Sequence, residues 1–219
     1  MSPFDIGYDD LPPTIPVFPL TGVLLLARGR LPLNVFEPRY LAMTADALRT
    51  DRLIGMIQPQ TAEAGVLAPP VYRTGCAGRI VSFEETEDGR YLITLKGVCR
   101  FDVQAELESL RGYRRMQVDW TPYREDFTVG ESCIDRERLF TVLKQYFTNE
   151  GIQADWEAIR ETPDDKLVTA LAMLCPFEPS EKQALLETPS LRARSEVLTA
   201  LVEMAVLGGE SGGDPTARQ

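Results

Sequence analysis

The chain has 219 residues, 44% of them hydrophobic, with a formal net charge of −10 and no histidine. The length suits one large domain or two small ones with a real core. No apolar stretch approaches the ~20 residues that span a bilayer, and the acidic opening MSPFDIGYDDLPPT lacks the basic n-region of a secretory signal, so a cytoplasmic protein without a membrane partner is expected.

The first ordered segment is IPVFPL (15–20), a hydrophobic run bracketed by prolines. GVLLLA (22–27) and LIGMIQ (53–58) are short apolar runs bounded by turn residues and read as strands. Between them Pro38 fits a first helical turn, with Leu41, Ala45 and Leu48 on one face of the helix that follows. Residues 59–70, PQTAEAGVLAPP, form a long loop. CAGRIVSFEE (76–85), TEDG (86–89) and RYLITLKG (90–97) read as a β-hairpin turning at Asp88-Gly89. VCRFDVQAEL (98–107) is a further strand, and in 113–120 Met116, Val118 and Trp120 alternate with polar residues. Glycines at 75, 78, 89 and 97 suit a tightly curled barrel.

After residue 125 the period becomes helical. Leu139, Leu143, Tyr146 and Phe147 make a stripe that Asn149 and Gly151 stop. Thr162 reads as an N-cap before Pro163, with Leu167, Val168, Leu171 and Leu174 at core spacing. Ser180 and Gln183 form a capping-box pattern. Leu191, Leu198, Leu201, Val202 and Ala205 face inward on a last helix that Gly208 ends, and the tail reads as disordered. The class is α+β. Charge divides unevenly: residues 1–125 hold 14 Lys+Arg and 16 Asp+Glu, whereas 126–219 hold 9 and 17.

Taken together, IPVFPL, LPLNVFEPRYLAM (32–43), IGMIQP (54–59), YRTGCAGRIVSFEETEDGRYLITLKGVCRFDV (72–103) and SEKQALLETPSLRARSEVLTALV (180–202) resemble the N-terminal, substrate-recruiting domain of Lon proteases over residues 14–205. The resemblance implies a PUA-like β pseudo-barrel with one inserted helix at 14–124, a C-terminal α-helical bundle at 130–207, and flexible termini at 1–13 and 208–219. It also makes PVFPL the first barrel strand, with Pro16 and Pro19 at an edge or an end because they cannot donate to a ladder. A full Lon adds an ATPase and a Ser-Lys peptidase. These 219 residues contain no G-x-x-x-x-G-K-[ST], and none of the four lysines (96, 144, 166, 182) lies in a recognisable peptidase segment. A domain that stands alone, without enzymatic activity, is therefore expected.

No histidine means no Ser-His-Asp or Cys-His nucleophile. Cys76, Cys99, Cys133 and Cys175 form no CxxC pair, so buried thiols and no metal or cofactor are expected. Glu84-Glu85 and Asp164-Asp165 read as solvated or capping carboxylates, and Trp120 and Trp156 as core. The most distinctive polar cluster is FEPRY (36–40). Glu37 can accept from helix N–H groups, and Arg39 can pair with a carboxylate or stack on a ring. The segment either locks the helix to the barrel or sets Phe36, Glu37, Arg39 and Tyr40 on the rim of a peptide groove. Val66 and Leu67 in the 59–70 loop are candidate lid contacts. Arg79 and Arg100 either satisfy carboxylates in the barrel wall or reach a ligand. The leading expectation is a non-catalytic module that binds unfolded or extended polypeptide, or a protein partner such as a protease, as an adaptor in protein quality control. An exposed strand edge would suit such a ligand. The alternative is an RNA-binding PUA-like module. Thirteen of the 14 basic residues in 1–125 are arginine, but the net charge disfavours nucleic acid.

Overall fold

A computed structural model describes residues 6–61, 68–128 and 134–211, with side chains to 208. The chain divides near residue 130 into two compact units. The first is built from strands β1 (Thr14–Pro19), β2 (Arg30–Val35), β3 (Leu53–Ile57), β4 (Thr74–Glu85), β5 (Tyr91–Leu110) and β6 (Tyr113–Asp119), with helix α1 (Pro38–Leu48) in the crossover from β2 to β3. β1 pairs with β3 and β6, β3 with β4, β4 with β5, and β5 with β6, which closes a five-strand ring. β2 is added outside the ring, along residues 91–96 of β5.

Two strands expected at 90–97 and 98–107 are one continuous 20-residue strand. Gly97 and Val98 look like an interruption in sequence, yet the ladder to β4 runs through them with a register shift at Ala77/Gly78. Such bulges bend a strand without ending it. The hairpin turns as expected, but Gly89 alone carries the positive φ, +79°. The Gly89 amide donates to the Thr86 carbonyl and the Thr86 amide to the Arg90 carbonyl, both at 2.9 Å, which makes a three-residue loop.

GVLLLA is not a strand. Leu24, Leu25 and Leu26 are all buried, which a strand with one wet face cannot achieve. The run plugs the barrel wall, with Leu25 against Gly78 and the Leu26 backbone against Gly97. An apolar run does not by itself distinguish a plug from a strand; the sequence hides the real strand, β2, behind Pro32. On α1 the buried stripe is Tyr40, Met43, Thr44 and Ala47, turned by about one residue from the expected Leu41, Ala45 and Leu48.

β1 is interior, not an edge; Pro19 stands at its end, one of the two places expected, whereas Pro16 lies inside it. The Pro13 carbonyl accepts from Val118 on β6, and the Leu20 amide donates to Ile57 on β3. Alternate residues therefore face opposite neighbours. Pro16 faces β3, whose ladder begins only at Val17, and Pro19 faces β6, whose ladder has ended at Val17. Each proline ring nitrogen thus sits where pairing with the neighbour it faces is absent.

The barrel core is Ile15, Val17, Ile57, Ala77, Cys99, Phe101, Met116, Val118 and Trp120. Residues 6–13 fall in the terminus expected to be flexible, but they are held against this core. Tyr8 and Leu11 pack on it, and the Trp120 indole donates to the Pro12 carbonyl at 2.9 Å. Ile6, Tyr8 and Leu11 among prolines and acids make too sparse a pattern to announce this. The strand β5 is also tied to the 3-10 segment Thr121–Phe127 by the buried Arg100–Asp126 pair.

The second unit holds α2 (Arg136–Asn149), α3 (Trp156–Glu161), α4 (Asp164–Leu174), α5 (Pro179–Glu187) and α6 (Leu191–Ser211). Leu139, Leu143, Val168, Leu185, Leu198 and Val202 form its core. Trp156 is half-buried, 5.5 Å from Phe147 and 6.4 Å from Phe140. Leu174, expected inward, ends α4 81% exposed, and Ala205 is exposed while Val206 is buried. The cap residues also shift: α4 starts after Pro163, and at α5 the Glu178 amide is capped by Glu181 at 2.8 Å. α6 continues through Gly208 to Ser211. Among the described residues no helix is long and apolar enough to cross a membrane.

Candidate functional site

The β4–β5 hairpin leaves the barrel wall at residue 80. Up to Ile80 β4 is mostly buried; from Val81 to Glu85 five consecutive residues are exposed. A strand shows one face at alternate residues, so an unbroken exposed run means that both faces are in solvent. Four large apolar side chains are exposed on this three-stranded β2–β5–β4 end: Phe36 at 64%, Val81 at 43%, Phe83 at 42% and Leu92 at 40%. Phe83 meets Tyr91 edge-on at 5.0 Å. Val35 pairs with Tyr91, and Tyr91 with Glu85, so Phe36 follows at the same end of the sheet.

This end has two outer edges, and the hydrogen-bond phase distinguishes them. The Thr86 amide bonds to Arg90, so even-numbered residues of this part of β5 face β4 and odd-numbered ones face β2. Ser82 and Glu84 are thereby turned toward β5, while Phe83 and Glu85 present their N–H and C=O groups outward. Among the described residues β5 is the only strand paired with 82–85. On β2 the outward residues are Arg30, Pro32 and Asn34. Pro32 removes the central donor from that edge, which is how natural edges are blunted. The β4 edge carries no proline.

FEPRY divides between structure and surface. Phe36 is exposed, but Tyr40 is buried and stacked on Phe18 with ring centroids 4.1 Å apart. Burial pushes the Tyr40 phenol up, Arg39 opposes this and Glu37 adds to it. Glu37 does not cap α1 with its side chain. It accepts instead from Arg39 Nε at 3.0 Å, and Arg39 lies over the Tyr40 ring at 4.6 Å. The cluster therefore pins α1, as the structural reading expects, and offers Phe36 with the Glu37–Arg39 pair to solvent.

Arg114, which sequence reasoning missed, holds both Glu106 oxygens at 2.7 Å and donates to the Pro69 carbonyl at 2.7 Å. It anchors the end of the 59–70 loop; Val66 and Leu67 lie outside the described residues. Arg79 is half-buried in β4 between Leu53 and Lys96. Arg100 is buried, bonded to Asp126 and stacked over Tyr123 at 4.6 Å, so it belongs to the wall rather than to the rim. A cleft of about 350 Å³ lies beside Pro12, Pro16, Ala47, Leu53 and Tyr113. Two carboxylates line it, Asp46 and Asp51; Asp46 is taken up by Arg111 at 2.8 Å and the Tyr113 hydroxyl at 3.1 Å. Among the described residues no group of three or more His, Cys, Asp or Glu side chains is placed to hold a metal.

The comparisons with known proteins agree with one another. The family model described as the ATP-dependent protease La (LON) substrate-binding domain matches residues 14–203. Lon protease 2 of Myxococcus xanthus is 30% identical over 206 residues, covering 90% of this chain and 24% of that protein. Lon protease of Anaeromyxobacter dehalogenans is 26% identical over 204 residues, covering 91% and 24%. The chain thus spans about a quarter of the length of these relatives. A Lon N-terminal domain protein from Xanthomonas campestris superposes with a TM-score of 0.60 at 25% identity, covering 85% of this chain and 97% of that one. The N-terminal domain of Mycobacterium avium complex Lon protease shares the fold, with a TM-score of 0.58 at 15% identity, covering 87% and 98%.

Proposed function

This chain belongs to the LON substrate-binding domain family, and we propose that it captures unfolded or extended polypeptide along the outer β4 edge of the hairpin that leaves its barrel wall, as a non-catalytic adaptor in protein quality control that passes the polypeptide to a protease. The observation that carries the reading is the β4 edge: five exposed residues, two outward-facing backbone pairs, no proline, and apolar side chains beside them. Backbone hydrogen bonds supply affinity with little demand on sequence, and pockets or exposed apolar side chains add the rest. Neither a P-loop nor a histidine is present in the 219 residues, which supports binding without chemistry.

The nucleic-acid alternative is not favoured. Arg39, Arg49, Arg73, Arg90, Arg100, Arg111 and Arg114 are each tied to a carboxylate, whereas phosphate binding needs uncommitted positive charge.

The test is fluorescence anisotropy of a labelled, permanently unfolded polypeptide titrated with the protein, with labelled single-stranded RNA in parallel. Saturable binding of the polypeptide alone is expected, weakened about tenfold by Phe83→Ser with Leu92→Ser. Absence of binding up to roughly millimolar protein would overturn the reading.

A further inference from the structure

The open edge of β4 carries charge as well as apolar surface. Residues 81–90, VSFEETEDGR, contain four acids and one base. Asp88 is occupied by Arg90 at 2.6 Å. Glu84, Glu85 and Glu87 are exposed, and no ion pair is recorded for any of them among the described residues. The neighbouring strand does not neutralise them: across β5, Glu84 and Leu92 line up with Asn34, and Glu85 and Tyr91 with Val35.

The ladder phase fixes what an added strand meets. It bonds to the backbone of Phe83 and Glu85, so its residues opposite those two share their face, and the residue between them lies beside Glu84 on the other face. An apolar side chain opposite Phe83 extends the Phe83–Tyr91 contact. A cation opposite Glu85, and another beside Glu84, meet carboxylates without a partner; an acidic residue at either place meets like charge. Resting on the proposed capture of extended polypeptide, we infer that the β4 edge selects segments in which Lys or Arg accompanies an apolar residue, adding them as a strand at Phe83–Glu85. The partner is a basic-apolar extended segment, chosen by charge complementarity at an edge where backbone bonding alone is indifferent to sequence.

The test uses three labelled decapeptides that share an apolar residue at every third position and carry Lys, Gln or Glu at both positions between, each titrated with the full chain at low salt. The Lys peptide is expected to bind about tenfold more tightly than the Glu peptide, with Gln between, because two cross-strand charge pairs change sign. Raising the salt compresses the order. The Glu84→Gln/Glu85→Gln variant, checked for unchanged melting, is expected to keep its affinity for the Gln peptide and lose most of the discrimination. Phe83→Pro deletes an outward donor only and is expected to weaken all three peptides well beyond Phe83→Ala. Equal binding of the three peptides by the parent chain overturns the charge selection and leaves polypeptide capture standing. A Lys preference that survives Glu84→Gln/Glu85→Gln overturns the placement. No binding of any peptide overturns both this inference and the reading it rests on.

Discussion

Replacing Asp126 by alanine should destabilise the barrel by about 3–5 kcal/mol, the cost of leaving a buried charge without its partner. The Asp126 carboxylate accepts the Arg100 amide at 2.9 Å, Nε at 3.0 Å and Nη2 at 2.8 Å, and the two side chains are 5% and 9% exposed. Burial works against the Arg100 charge, but the Asp126 hydrogen bonds and charge outweigh it, so the proton is held more tightly than usual. Alanine at 126 therefore strands an ionised guanidinium rather than a neutral one. With urea slopes of about 1–3 kcal/mol/M, the midpoint should fall by about 2 M. The assay is Trp120 fluorescence in a Trp156→Phe background, which reports on the barrel alone. Arg100→Met combined with Asp126→Leu should recover part of the loss, since an apolar pair removes the stranded charge but leaves the Arg100 amide without its Asp126 acceptor. A loss below about 1 kcal/mol, the range of a surface pair, would mean that the Arg100 charge is not held in a buried site.

Gly75→Ala places a Cβ against the Phe101 ring and the Met56 carbonyl; thermal unfolding should show a loss of about 1–3 kcal/mol, and an unchanged melt would contradict the packing described. Glu106 is held below the usual carboxylate range by its hydrogen bonds from Arg114. A lowered folded-state pKa gives stability that is present above the unfolded-state value and is lost as pH falls through the folded-state value. Glu106→Gln should therefore melt slightly below the parent at neutral pH, and the two should converge in acid; a difference that grows in acid would oppose this. Cys76, Cys99 and Cys175 are buried, with burial pushing the Cys175 thiol up to about 11, against the opposing charge of Lys182. In a Cys133→Ser background, a thiol-disulfide reagent at about pH 8 should react only once denaturant is added; rapid native labelling would contradict the burial.

Sequence periodicity located most of the fold because its signals are local. The hairpin turn, the alternating β6 and the stripe of α2 each follow from a few neighbouring residues. The plug at Leu24–Leu26 did not follow, since its three leucines bury on all sides only after β4 and β5 bring Gly78 and Gly97 against them. Leu174 and Ala205 occupy core-like positions in the repeat, yet their helix turns face solvent. The candidate site was legible only in part. FEPRY stood out as a polar cluster, but its arginine and tyrosine serve α1. VSFEE alternates like a strand with one buried face; only the strand order, with β3 ending its pairing at Arg79, shows that both of its faces are wet.

Amide hydrogen exchange measured by NMR, with and without a saturating basic-apolar decapeptide, most directly tests whether this chain binds polypeptide along β4. Phe83 and Glu85 point their N–H groups outward, whereas Ser82 and Glu84 are already turned to β5. Bound peptide is expected to slow exchange at Phe83 and Glu85 and to leave Ser82 and Glu84 as they were. Slowing at the outward Arg30 and Asn34 amides of β2 instead, or no slowing anywhere in residues 81–85 when the peptide is bound, would contradict it.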